Sequence, residues 1–217
     1  MMPFQFARSR RAAFRILCLG AHSDDIEIGC GGTLLRLLET YTNVTCHWVV
    51  FTAEGPRTRE ARTGARRFLR GAADSRVTLQ TFRNGFFPSQ AAEIKASFEA
   101  IKTVVSPDLI FTNYRGDLHQ DHRTVAELTW NTFRDHTILE YEVPKYDGDL
   151  GSPNAFVPLV DDIVGEKIRL LEAHHLTQHS KHWFDGELFR GLMRLRGVEC
   201  ASRYAEGFTA RKVTIVP

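Results

Sequence analysis

Cysteine is scarce: Cys18, Cys30, Cys46 and Cys200 are the whole supply in 217 residues, and no two form a CxxC pair. That excludes a disulfide-dense secreted scaffold. Buried reduced thiols are the expectation, because at least three of the four lie in or beside apolar runs. No apolar stretch reaches the length that crosses a bilayer, so no integral membrane segment is expected. The opening MMPFQFARSRRAAFRILCLG makes a poor signal peptide, since the apolar run after its basic residues is short and reads as a first strand. A dominant charge is missing too: 28 Lys plus Arg stand against 26 Asp plus Glu. So small an excess leaves no footprint of nucleic-acid binding, and no such partner is expected. Repeats and low-complexity segments are absent. A cytoplasmic location is the expectation.

What is present is an ordinary globular balance, 43% hydrophobic and 25% charged, in a length that suits one domain with a substantial core. Residues 14–217 are expected to form it, with 1–13 a flexible basic arm. FRILCLG at 14–20 has the apolar density of a strand buried on both faces. Further strands are expected at 44–52, 77–79, 108–113, 138–143 and 207–216. Helices are expected at 33–41, 57–70, 91–105, 125–133, 163–175 and 187–196, with Pro107 closing the third. Residues 146–158, rich in Gly, Pro, Asp and Asn, read as an irregular connection. This alternation predicts an α/β fold: a three-layer, Rossmann-like domain on a mostly parallel sheet, its C-terminal part closing a crevice at the carboxyl ends of the strands.

Two polar clusters follow two of those strands. Ala21-His22-Ser23-Asp24-Asp25 comes directly after 14–20, and Asp117-Leu118-His119-Gln120-Asp121-His122 shortly after 108–113. If the two strands are neighbours, both loops open on one crevice. His22, Asp25 and His122 then make a mixed nitrogen–oxygen shell suited to zinc, with iron, manganese or cobalt as alternatives. Taken singly, each of these residues has a blander use as a helix cap or a satisfied polar group. GCGG at 29–32 admits a second reading, a strand-to-helix phosphate loop, which would make the chain a non-catalytic nucleotide- or phosphate-binding module. It is neither a Walker A sequence nor a GxGxxG fingerprint.

AHSDDIEIGCGGTLLRL at 21–37 and DLHQDHR at 117–123 resemble the PIG-L/LmbE-like family of zinc-dependent de-N-acetylases. Supporting similarity lies in Arg57-Thr58-Arg59-Glu60, in SPDLIFTN at 106–113 and in RYAEGFTARKV at 203–213. The resemblance implies hydrolysis of an acetamido group on an N-acetylated amino sugar or sugar conjugate, with an N-acetylglucosamine type favoured. A glycoside or a nucleotide- or phosphate-linked sugar would serve as substrate, and self-assembly is left open. It implies His22, Asp25 and His122 as zinc ligands and Asp24 as the base that activates water. His119 would assist the developing oxyanion, and Asp121 would orient a histidine. The family pattern carries Pro where this chain has Ser23, which lowers local preorganisation and leaves each proposed chemical side chain in place.

Arg57 matches a substrate-facing arginine of the family, and Glu60 is expected to hold it. Arg59, Arg62 and Arg66 recur at helical spacing and read as an outer charged face. His174, His175, His179 and His182 form a second histidine concentration, assigned to packing, surface contacts or substrate recognition. Lys167 and Gln178 fall in a weakly family-like stretch. Trp183, Phe184, Tyr204 and Phe208 are candidates for a sugar-facing wall, although large aromatics more often supply packing area.

Overall fold

The computed structural model describes residue 6 and residues 9–214. Its elements in chain order are β1 (Phe14–Gly20), α1 (Asp25–Thr40), β2 (Val44–Val50), α2 (Pro56–Phe68), β3 (Asp74–Leu79), α3 (Ala91–Val104) and β4 (Leu109–Asn113). There follow α4 (Gln120–Thr132), β5 (Ile138–Tyr141), β6 (Ala155–Leu159), α5 (Asp161–His174), α6 (Gly186–Glu199) and β7 (Tyr204–Thr209). One seven-stranded sheet has the order β3-β2-β1-β4-β5-β7-β6. The first five strands pair in parallel, while β7 runs antiparallel to both β5 and β6.

Strand periodicity divides the core into two layers. Phe14, Ile16 and Cys18 of β1 face a cluster with Leu34, Phe68, Leu171 and Phe189, contributed by α1, α2, α5 and α6. Leu17 and Leu19 face the other way, onto Ile94, Phe98, Val125 and Trp130 of α3 and α4. Helices on both faces of a mostly parallel sheet give the expected three-layer, Rossmann-like architecture. The sheet grows from β1 toward β2 in one direction and toward β4 in the other, so the carboxyl ends of β1 and β4 flank a topological switch point.

Several boundaries differ from expectation. Helix α1 starts at Asp25 instead of residue 33, and the glycine run lies inside it. A Cβ at Gly29 would sit 2.1 Å from the Tyr141 ring, and one at Gly31 2.6 Å from Phe68. Close packing of those rings outweighs the cost of about 1 kcal/mol that each helical glycine carries. The Gly32 and Thr33 N–H groups donate to Glu206, whose partner Lys167 also donates to the Ile28 carbonyl. The run is therefore a buried packing surface, and no phosphate-binding turn forms there.

Strand β6 lies partly in the segment expected to be irregular. Pro158 hides it from propensity, yet at the sheet edge a missing N–H is tolerated. Strand β7 ends at Thr209, earlier than expected, and residues 215–217 lie outside the described set. Of the N-terminal arm, residues 1–5, 7 and 8 also lie outside it. Arg10 is held against the α1–β2 turn, its carbonyl accepting the Thr42 N–H at 2.9 Å. No helix among the described residues is long and apolar enough to cross a membrane.

Candidate active site

The turn after β1 is short because Asp25 already begins α1. His22 thereby lies just beyond the carboxyl end of the interior strand β1, while Asp24 and Asp25 stand at the helix start. Asp25 is 3% exposed; its Oδ2 accepts the His22 N–H at 2.9 Å and the Asn113 Nδ2–H at 3.1 Å. Asn113 ends β4, and its Oδ1 accepts the Ala21 N–H, so the two strand ends are tied directly. Across the switch point, His119 caps α4, and His122 sits in the first turn of that helix.

Three ligand-type atoms converge. His22 Nδ1 and His122 Nε2 are 3.0 Å apart, and Asp25 Oδ2 lies 3.5 and 3.4 Å from them respectively. Atoms bound tetrahedrally at ~2.0–2.2 Å from zinc stand roughly 3.3–3.6 Å from one another, so the spacing is close to that of a metal site. The outer ring nitrogens have acceptors of their own. His122 Nδ1 faces the Asp117 carboxylate at 2.7 Å, and His22 Nε2 faces the Asn84 amide oxygen at 3.1 Å. Both partners accept, so each imidazole carries its proton outward and turns a lone pair inward. With both lone pairs turned inward beside a carboxylate, the three atoms form a donor set that could hold a metal ion.

The charges of the cluster act strongly on one another. Burial by itself would lower the His122 pKa, but Asp25 and Asp117 outweigh it and carry it up to about 10. Burial opposes ionisation of Asp25, yet His122 and His22 hold its pKa well below the carboxylate range. His119 shifts the other way, lowered by desolvation and by the neighbouring histidines. It stacks on His122 with ring centroids 4.7 Å apart, and its Nδ1 accepts the Asp121 N–H, leaving Nε2 as the protonated nitrogen. His22, His119 and His122 each offer a nitrogen within 4.8 Å of the others. Asp25 completes a tighter set with the two more buried rings.

Asp24 is 3% exposed. Its Oδ1 accepts Arg57 Nη2–H at 2.7 Å, and Arg57 Nε–H also donates to Ser23 Oγ at 2.7 Å. Arg57 therefore belongs to the cluster, but Glu60 does not hold it. Glu60 accepts instead from the Thr177 N–H and hydroxyl, because one helical turn carries it toward the segment after α5. Asp121 accepts the Gly85 and Phe87 N–H groups and lies 3.4 Å from His22 Nε2.

The residue that meets His122 is Asp117, which stands in the second motif and whose sequence position alone assigns it no role. Asn84 carries no usable signal, since a lone asparagine in a loop is commonplace, whereas Asn113 closes the family-like SPDLIFTN segment at the end of β4. The second histidine group lies elsewhere. His175 is buried 3.3 Å from Glu27, and His179 meets the Glu172 carbonyl. Phe184, Tyr204 and Phe208 belong to the core, with Trp183 packed against it; none forms a sugar-facing wall.

Comparison with known proteins places the chain in a family and supports its fold. The chain is 28% identical over 180 residues to an uncharacterized deacetylase, YaiS, of Escherichia coli K12, covering 76% of this chain and 89% of that one. N,N'-diacetylchitobiose deacetylase from Pyrococcus horikoshii superposes with a TM-score of 0.67 at 20% identity, over 90% of this chain and 83% of the other. GalB, a 4-carboxy-2-hydroxymuconate hydratase from Pseudomonas putida KT2440, gives 0.71 at 16% identity, over 94% and 98%. Likeness at those identities speaks for the fold, which hosts more than one chemistry. The family model described as PIG-L, GlcNAc-PI de-N-acetylase, matches residues 17–133. That stretch is more than half of the chain and contains both converging loops; this chain belongs to the PIG-L family.

Proposed function

We propose that this protein is a zinc-dependent N-deacetylase acting on an N-acetylated amino sugar or sugar conjugate, of N-acetylglucosamine type. The observation that carries the reading is the convergence of His22 Nδ1, His122 Nε2 and Asp25 Oδ2 from two loops. These three residues would hold the ion, and another divalent transition metal fits the same donors. When bound, the metal would supply Lewis acidity toward the acetamido carbonyl and acidify water.

The chain's own residues do the rest. Asp24 Oδ2 has no protein donor among the described residues, so it accepts the proton of the attacking water while Oδ1 stays on Arg57. The water oxygen bonds to the acetamido carbon, and His119 Nε2–H donates to the oxygen on which charge develops. The C–N bond breaks, Asp24 returns its proton to the nitrogen, and acetate and a free amine result. Arg57 steadies Asp24 and presents its remaining N–H donors to sugar hydroxyls. Asp121, braced by Gly85 and Phe87, orients His22.

The family name and the diacetylchitobiose deacetylase among the similar structures support the N-acetylated sugar class. The test is metal analysis followed by acetate detection with a panel of N-acetylglucosamine conjugates. Stoichiometric metal and acetate release are expected; metal-replete protein that releases no acetate across the panel would remove that substrate class.

A further inference from the structure

The segment after β5 contributes no atom to the metal cluster, yet a chain of buried charges runs from it into that cluster. The Lys145 side chain is 8% exposed, and its Nζ lies 2.9 Å from Asp117 Oδ1 and 3.0 and 2.8 Å from the two oxygens of Asp149. Asp149 also accepts the Leu118 N–H at 2.6 Å. Asp117 spends its remaining capacity on the site. Its Oδ1 accepts the His119 N–H at 2.7 Å, and its Oδ2 accepts the His122 Nδ1–H at 2.7 Å. One ammonium therefore stands between two buried carboxylates, with the more exposed Asp147 carboxylate at 4.0 Å, and Asp117 sets both a ring and a backbone of the site.

A surface ion pair would not look like this. The Asp117 and Asp149 side chains are as buried as Lys145, and lysine is almost never so deep unless paired. Without the ammonium, two buried negative charges would face each other uncompensated, a strongly destabilising arrangement. The segment is also held on both sides of Lys145, where Arg196 of α6 pairs with Glu142 just after β5 and donates to the Gly151 carbonyl. Burial of Arg196 and Glu142 makes that anchor rigid.

The geometry points to Lys145 as a positioning residue of the active site. Acting through Asp117, it fixes the Nδ1–H tautomer and ring orientation of His122, so that Nε2 keeps its lone pair toward Asp25 and His22. Its clamp with Asp149 holds the 117–119 loop from which His119 projects. Loss of such an outer partner typically costs about 10- to 100-fold in metal affinity or activity. The inference rests on the metal-dependent deacetylase reading, but its first readout needs no substrate.

The experiment measures zinc affinity, and kcat and KM on a cleavable N-acetylglucosamine conjugate. It uses the full chain and the variants Lys145→Met, Lys145→Arg, Asp117→Asn and the Lys145→Met/Asp117→Asn pair. Lys145→Met is expected to weaken zinc binding about 10-fold or more and to lower kcat with little change in KM. Lys145→Arg should recover most of the loss, and the paired variant should bind zinc no more weakly than Asp117→Asn alone. Folded Lys145→Met with unchanged zinc affinity, single losses that multiply in the pair, or a rise in KM alone would each overturn the inference. If Lys145→Met does not fold, Asp149→Asn loosens the same clamp and should cost a few-fold in zinc affinity; no change there would overturn it equally. A wild type that binds zinc and releases acetate while Lys145→Met matches it sinks only this inference. A wild type that releases no acetate, with zinc affinity still falling in Lys145→Met, sinks only the deacetylase reading.

Discussion

Arg57 reaches back from the first turn of α2 and donates to both Ser23 Oγ and Asp24 Oδ1 at 2.7 Å. Ser23 stands where the family pattern has proline, and a proline would offer that arginine no hydroxyl. The loop that loses a rigid ring thus gains a hydrogen bond to a charged group, and the same arginine steadies the carboxylate beside it. A hydrogen bond of this kind contributes roughly 1.5–3 kcal/mol. Ser23→Ala should lower kcat/KM several-fold, whereas Arg57→Ala, which also strips Asp24 of its cation, should lower it about 10- to 100-fold. Steady-state kinetics on one conjugate checks the order; equal effects of the two substitutions would refute this division.

The adjacent carboxylates should separate cleanly. Asp24→Asn removes a proton acceptor outside the ligand set, so metal content should stay near that of the wild type while single-turnover acetate release drops at least about 100-fold. Asp25→Asn removes the negative oxygen between the two histidines, and metal binding itself should weaken. His119→Ala should follow Asp24→Asn, retaining metal and losing rate. Metal stoichiometry measured beside single-turnover release decides the matter. Loss of metal in Asp24→Asn with retention in Asp25→Asn would reverse the two roles.

Packing under the site makes a stability prediction. A Cβ at Gly29 would overlap the Tyr141 ring, whose hydroxyl is itself tied to the Leu19 carbonyl at 2.7 Å. Gly29→Ala should therefore destabilise the fold by about 1–3 kcal/mol, against the gain expected for alanine in an open helix. Gly165 in α5 meets nothing within 4 Å, and Gly165→Ala should stabilise by roughly 0.5–1 kcal/mol. Urea melts of the two variants should move in opposite directions.

His47 is one source of acid sensitivity outside the proposed metal site. His47 is buried on β2 against Thr78, and desolvation together with Arg76 lowers its pKa to about 4. The unfolded chain, with an ordinary histidine pKa near 6.5, takes up a proton there before the native protein does. Stability from this group is complete above about pH 6.5 and is lost as pH falls toward 4. His47→Gln should flatten that part of the profile, seen as a smaller difference in denaturation midpoint between pH 7 and pH 5. An unchanged difference would show that His47 does not titrate between those limits.

Hydrophobic patterning settles the alternation of strands and helices, because strand burial and helix faces are written into residues two, three or four apart. It brings out β1, β4 and most helices within a few residues, and the two motifs after those strands name His22, Asp25 and His122. Long-range packing decides the rest. The start of α1 depends on what the glycines meet, namely Tyr141 from β5 and Phe68 from α2. Strand β6 depends on having β7 beside it and an open edge on its other side. The partners of Glu60 and of the His175 ring come from segments more than a hundred residues away.

The same division runs through the site. Local sequence brings Asp117 and His122 into one motif, but only the path of the loop turns the Asp117 carboxylate toward that ring and leaves Asp121 to Gly85, Phe87 and His22. Asn84 and Lys145 arrive from two further segments and carry no local signature, while Asn113 stands at the end of a recognisable strand segment whose sequence does not name its partners. Their roles arise because each buried donor or acceptor needs a partner, and only the folded chain places one within reach.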